Sequence, residues 1–256
     1  MKKIVFIDID GTLVCDKGQV SKRNVDAIKR IKDLGYIPVI CTGRAVNLAK
    51  NIIELTKVDY MIFANGGGAY DCGQKKVIYQ NAIDHNLVNC VCNAVKNDDI
   101  KIEYIANGNL VSLYMPQDTV VQINLVSYQA DILPSVKQII ESYESIKIVH
   151  KSKFYLDDTF APDGDPRTPD KKRFFYDVAL KNTSKGSGII GLCNILNIKK
   201  QDRIAIGDEF NDFKMFSECG FNVAMGNALP NLKKIADFIT DTNTNDGVAQ
   251  FLDTLN

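Results

Sequence analysis

Three short apolar runs, KIVFI (3–7), YIPVICT (36–42) and YMIFA (60–64), alternate with stretches of helical periodicity. This alternation restricts the chain more than any other feature. Runs this short, rich in β-branched residues, suit strands buried on both faces, the environment of a parallel sheet. Between the first two, Ser21 stands as an N-cap, Val25, Ile28, Ile31 and Leu34 recur at helical spacing, and Gly35 ends the segment. Residues 45–56 read as a second helix. Strand, helix, strand, helix, strand is the pattern of crossover helices on a parallel sheet. The rhythm returns late in the chain: 185–197 reads as helix, 202–207 as strand and 210–219 as helix. FNVAMG (221–226), a helix near 230–236, FIT (238–240) and a last helix from 247 complete it.

The middle has a different texture. IKIEYIA (100–106) and LVSLYM (110–115) are candidate strands joined by Asn107-Gly108-Asn109, a hairpin-like turn. IKIVHK (146–151) and RFFYDVAL (173–180) follow after two helix-like stretches. The expected organisation is therefore a first core segment over 1–81, an inserted α+β module over 82–182 and a second core segment over 183–256. Asp157–Arg173, with three of the chain's seven prolines and five aspartates, reads as a long loop.

Charge and thiol content narrow the possible partners. Lys plus Arg and Asp plus Glu are both 31, so no global field attracts nucleic acid or anionic lipid. The first apolar run stops at Asp8, too soon for a secretory signal, and no stretch approaches the length of a membrane span. The seven cysteines are scattered and odd in number, as expected of reduced thiols in a cytoplasmic protein. The two histidines, His85 and His150, fall in the inserted region and read as structural or surface residues.

The chemistry is concentrated where strands end. Asp8-Ile9-Asp10-Gly11-Thr12-Leu13 follows the first strand directly. Residues two apart in an extended chain share a side, so Asp8 and Asp10 both face the space beyond the strand, where open α/β sheets bind ligands. Two adjacent carboxylates repel unless a cation lies between them. Gly207-Asp208-Glu209-Phe210-Asn211-Asp212, after another apolar strand, adds carboxylates for such a cation. Oxygen donors without a histidine cluster favour Mg²⁺ over zinc. Thr42-Gly43-Arg44 would place a hydroxyl and free N–H groups at a helix start, which suits a phosphate oxygen. Lys185, at another helix start, is a point charge for the same group. Each element alone has an ordinary reading: a turn, an N-cap, a solvated charge. Their occurrence together, in order and at the strand ends, favours a site. The glycines at 66–68 lack the Lys-Ser/Thr of a nucleotide loop and read as a tight turn.

This ordered set resembles the haloacid dehalogenase superfamily, in particular the Cof-type phosphatases with a large C2B-like cap. DxDGTL at 8–13, TGR at 42–44, Lys185 and GDxxND at 207–212 carry the resemblance. AMGNAL (224–229), Ala236-Asp237 and Asp246-Gly247-Val248 add to it. It implies an α/β fold, a Rossmann-like parallel-sheet core with an inserted α+β cap domain hinged near 80 and 182. It further implies a Mg²⁺-dependent phosphatase that hydrolyses monoesters of small metabolites, sugar phosphates foremost, through an aspartyl-phosphate. Asp8 would be the nucleophile and Asp10 the acid and then the base. Mg²⁺ would be held by Asp8, the backbone carbonyl of Asp10, and Asp208, with Asp212 orienting that shell. Thr42, the amides of Ile9 and Gly43, Lys185 and Asn211 would hold phosphate oxygens. Glu209-Phe210 stands where this family often has smaller residues.

Two rivals stand beside this reading. A phosphosugar mutase shares the core chemistry but needs a second phosphate site in its cap, rich in Arg or Lys, and the inserted region carries few arginines, only Arg167 and Arg173. A non-catalytic phospholigand binder would have no use for the full set Asp8, Asp10, Lys185 and Asp208. The expected partner is a small phosphorylated metabolite, with no nucleic acid and no membrane. Aromatics Phe154, Tyr155 and Phe160 beside Asp157, Asp158, Asp163 and Asp165 read equally as a surface for a polyhydroxylated leaving group and as a solvated, proline-stiffened surface loop.

Overall fold

Ile4, Val5, Phe6 and Ile7 are fully buried, and they form β1 (Ile4–Ile7) inside an eight-stranded sheet. The computed structural model describes residues 3–15, 18–129, 133–155 and 172–256. After β1 come α1 (Lys22–Asp33), β2 (Ile37–Cys41), α2 (Val46–Thr56) and β3 (Tyr60–Phe63). The Ser21 side chain accepts the Asn24 N–H at 3.0 Å, and Val25, Ala27, Ile28 and Ile31 give α1 its buried stripe. Gly35, at φ 88°, takes the left-handed position beyond the helix. β3 does not close the sheet with a plain turn. Ala64, Asn65 and Gly66 bend the chain into β4 (Gly68–Asp71), antiparallel to β3, and β5 (Lys76–Gln80) follows at the sheet edge.

Two compact units divide the chain: Met1–Tyr79 with Ser184–Asn256, and Gln80–Thr183. The second unit comprises α3 (His85–Val95), β6 (Ile100–Ala106), β7 (Asn109–Val111), β8 (Val120–Ser127), α4 (Leu133–Glu141), β9 (Ile146–Tyr155) and β10 (Lys172–Leu180). Its sheet runs β7-β6-β8-β10-β9 and its pairings are antiparallel. Val88, Val91 and Val95 of α3 and Val136 and Ile140 of α4 pack on Ile123, Leu125, Tyr176 and Val178. Two expectations change here. LVSLYM pairs only at Leu110 and Val111, and Met115–Asp118 closes a turn beyond them. VVQINLVS, which none of the expected strands covered, is the central strand β8, and its Gln122/Asn124 against Ile123/Leu125 alternation is the strand period. The loop expected over Asp157–Arg173 lies outside the described residues up to 171.

The chain then re-enters the first unit with α5 (Lys185–Leu196), β11 (Arg203–Gly207), α6 (Asp212–Phe216), β12 (Phe221–Ala224), α7 (Pro230–Lys233), β13 (Phe238–Ile239) and α8 (Gly247–Leu252). The sheet order is β13-β12-β11-β1-β2-β3-β4-β5. Ile7 is in register with Ile40 on one side and Ile206 on the other, all parallel. That register puts the carboxyl ends of β1, β2 and β11 side by side. α6 is shorter than the expected 210–219 because the loop before it is held by Asp212. All seven cysteines are free thiols. No helix among the described residues is long and apolar enough to cross a membrane.

Candidate active site

Three carboxylates meet at the adjoining strand ends. Asp8 follows β1, Asp208 follows β11, and Asp212 opens α6; their ligand oxygens lie within 4.8 Å of one another. All three are almost completely buried. Asp8 donates its N–H to the Ile206 carbonyl at 3.1 Å, so the backbone of β11 fixes its place. The Thr12 hydroxyl donates to Asp208 Oδ1 at 2.5 Å. Gly11 has φ 78°, and a Cβ there would lie 2.1 Å from Asp208 Oδ2, so glycine is required on both counts.

Lys185 is the cation of this cluster. Ser184 and Ser187 form a capping box that starts α5 and sets the lysine's direction. Its Nζ lies 2.7 Å from Asp8 Oδ1 and 2.6 Å from Asp212 Oδ1, with the side chain wholly buried. An ammonium has three donors, so one remains for an incoming acceptor. Asp212 also accepts the N–H groups of Asp208 (2.8 Å) and Glu209 (2.9 Å) on Oδ2, tying the fourth motif into a loop.

Crowding is visible in the acidities. Burial pushes Asp8 well above the usual carboxylate range; Lys185 opposes this, while Asp212, Asp208 and Asp10 add to it. Burial, with Asp212, raises Asp208 to about 7 against the opposing Thr12 bond and Lys185. Burial alone would lower the lysine, but Asp212 and Asp8 outweigh it and hold the ammonium charged. With all three carboxylates ionised, one lysine would leave an excess of negative charge. The donors are all hard oxygens, a set that fits a divalent cation of the Mg²⁺ type.

Asp10 stands apart from that cluster. Its side chain is half-exposed and both its oxygens are held by Arg44, through Nε at 2.9 Å and through Nη2. Of the residues expected to hold phosphate, Thr42 is buried at the end of β2, and its hydroxyl accepts the Arg44 N–H at 3.2 Å. Ile9 is buried, and its carbonyl closes the loop by accepting the N–H groups of Thr12, Leu13 and Val14. Gly43 approaches Asn65 so closely that a Cβ would lie 2.9 Å from Nδ2. Asn211 donates from Nδ2 to Asn65 Oδ1 at 3.1 Å. Sequence reasoning gave no role to Asn65, to the Thr12 hydroxyl or to Asn227, whose Nδ2 donates to the Gly11 carbonyl at 2.7 Å. The one signal for Asn65 was the Asn-Gly pair, which favours left-handed backbone.

Residues 5–252 match the family described as haloacid dehalogenase-like hydrolase. The chain belongs to that family. The haloacid dehalogenase-like core is the α/β sheet carrying Asp8, and the enzyme is a phosphoric monoester hydrolase. It is similar to the 5-amino-6-(5-phospho-D-ribitylamino)uracil phosphatase YwtE of Bacillus subtilis (strain 168), 27% identical with 99% of this chain and 98% of that protein covered. A second 5-amino-6-(5-phospho-D-ribitylamino)uracil phosphatase of B. subtilis (strain 168), YcsE, is 26% identical over 97% of this chain and 93% of its own. Among solved structures, a haloacid dehalogenase-like hydrolase from Bacteroides thetaiotaomicron shares the fold, with TM-score 0.80, 22% identity and 99% of each chain covered.

Proposed function

We propose that this enzyme is a Mg²⁺-dependent phosphatase of small phosphorylated metabolites, sugar or polyol phosphates foremost, working through an aspartyl-phosphate on Asp8. The observation that carries the reading is Asp8 itself: a buried carboxylate at the end of a central strand, held by Lys185 at 2.7 Å. Asp8 attacks phosphorus, the bond from phosphorus to the leaving oxygen breaks, and Asp10 gives that oxygen its proton. Asp10 then takes a proton from water as the water attacks the acyl phosphate, releasing inorganic phosphate and restoring Asp8. The spare proton of Lys185, the Thr42 hydroxyl, the amides of Ile9 and Gly43, and the Asn211 amide meet the phosphoryl oxygens. Asp8, the Asp10 carbonyl and Asp208 would hold Mg²⁺, with Asp212 fixing their loop. The ion would supply positive charge against the phosphoryl oxygens. The inserted unit, Gln80–Thr183, is read as the cap that selects the leaving group. The ribityl phosphate in the relatives' names supports a polyhydroxylated ester.

Three measurements test this. Rapid quenching during turnover should yield a phosphorylated peptide that contains Asp8 and loses its label to hydroxylamine. Asp8→Asn should abolish turnover of every monoester. Chelation should stop hydrolysis and Mg²⁺ restore it. Full activity after thorough chelation, or in Asp8→Asn, would overturn the reading.

A further inference from the structure

We propose that Asn65 is a positioning residue for the phosphoryl site, acting through Asn211 and the Thr42-Gly43 turn; this rests on the phosphatase reading above. The proposal begins with the backbone. Ala64, Asn65 and Gly66 take φ values of 51°, 52° and 98° in succession. Left-handed conformation is rare outside glycine and unfavourable for alanine, so the surrounding structure must hold this corner in place. Three contacts do so. The Asn65 N–H donates to the Thr42 carbonyl at 3.0 Å, and the Ala64 N–H to the Arg44 carbonyl at 3.2 Å. Gly66 is pressed so closely on α5 that a Cβ would lie 1.9 Å from the Ser184 carbonyl oxygen, next to Lys185.

The side chain adds the fourth motif. Asn65 is 1% exposed, and its Oδ1 accepts from Asn211 Nδ2 at 3.1 Å. Asn211 Oδ1 is buried without a hydrogen-bond partner. Among the described residues, the bond to Asn65 is therefore the hydrogen bond that orients the Asn211 amide plane. An amide nitrogen has two hydrogens. With one committed to Asn65, the other is aimed by it and remains for a phosphate oxygen. One corner thus links the phosphate-binding turn, the helix start that bears Lys185 and the Asn211 amide.

Asn65→Gly tests this cleanly, because glycine accepts the left-handed backbone and only the side chain is lost. Inorganic phosphate binding by calorimetry, kcat and KM on p-nitrophenyl phosphate, and the melting temperature are measured on wild type, Asn65→Gly, Asn211→Ala and the double variant. The expected result is a loss of phosphate affinity of about tenfold, equivalent to about 1.4 kcal/mol, in each single variant. The double variant should lose no more than Asn211→Ala alone, because once the Asn211 amide is gone the Asn65 side chain has nothing left to aim. KM should rise with the affinity loss. Unchanged phosphate affinity in folded Asn65→Gly, whatever its melting temperature, would overturn the proposal. So would multiplied losses in the double variant. If Asp8→Asn retained wild-type turnover, the phosphatase reading would fall, while the phosphate titrations would still judge Asn65.

Discussion

The guanidinium of Arg44 clasps both carboxylate oxygens of Asp10, two residues beyond Asp8. A forked pair of this kind fixes the carboxylate plane as a lysine could not. The carbonyl of Arg44 is itself tied to the Ala64 N–H.

If Asp10 is the proton donor to the leaving group, Arg44 sets its aim. Arg44→Ala should lower kcat/KM for alkyl phosphates by about tenfold or more, part of the gain a placed acid provides. The loss on p-nitrophenyl phosphate, whose leaving group departs without a proton, should be small. Arg44→Lys should not restore the alkyl rate. Equal losses on both substrates would show that Arg44 does not act through Asp10.

Asp8 should limit stability as well as provide chemistry. Burial pushes its pKa upward, so its charged form weakens the folded state at neutral pH. Asp8→Asn should raise the melting temperature of the metal-free protein by about 3 °C, roughly 1 kcal/mol for a chain of this size. Scanning calorimetry in the presence of chelator reads this directly. A fall of the same size would mean that the lost bond to Lys185 outweighs the relieved crowding.

Asp208 should give the metal-free protein a pH dependence. Its folded value, about 7, lies above the ordinary 3.8, so the folded state keeps a proton that the unfolded chain releases. That contribution is complete below about pH 4 and is lost as pH rises toward 7. Melting temperature in chelator should fall between about pH 5 and pH 7.5, and the slope should flatten in Asp208→Asn. Saturating Mg²⁺ should reverse the trend, since it favours the deprotonated carboxylate.

The thiols should sort by burial. Burial pushes Cys72 up to about 12 and Cys193 up to about 11, and raises Cys41 and Cys219 as well. Cys90 is exposed. Iodoacetamide at pH 8, followed by peptide mass spectrometry, should label Cys90 quickly and reach Cys41, Cys193 and Cys219 only after unfolding. Rapid labelling of Cys193 in the folded protein would contradict this.

Much of the core was legible because its strands are buried on both faces and read as unbroken apolar runs with a polar motif at each end. KIVFI and DRIAIG announce their neighbours in that way. The second unit was harder. VVQINLVS has polar residues on one face of a central strand, so it lacks the run that marks β1. LVSLYM has the run but sits at an edge, where only its Leu110 and Val111 pair before the chain turns at Met115–Asp118. Asp8, Asp208 and Lys185 could be placed from strand ends and helix starts. The clasp of Arg44 on Asp10 and the bond from Asn211 to Asn65 could not, because each depends on the direction of a side chain across the fold.

The sheet order also dictates when this enzyme can exist. β1 lies between β2, which follows it closely, and β11, which is separated from it by the whole inserted unit. As the ribosome delivers the chain, β1 emerges first and waits with one edge unpaired. The inserted unit is continuous in sequence and can close its own sheet meanwhile. Only when Arg203–Gly207 arrives does the last neighbour of β1 fall into place, bringing Asp208 to the Thr12 hydroxyl across 196 residues. Such distant pairing makes slow, late closure the expected kinetic signature. A nascent chain halted before residue 203 would hold Asp8 on an open sheet edge, prone to association and without the carboxylate of Asp208 beside it.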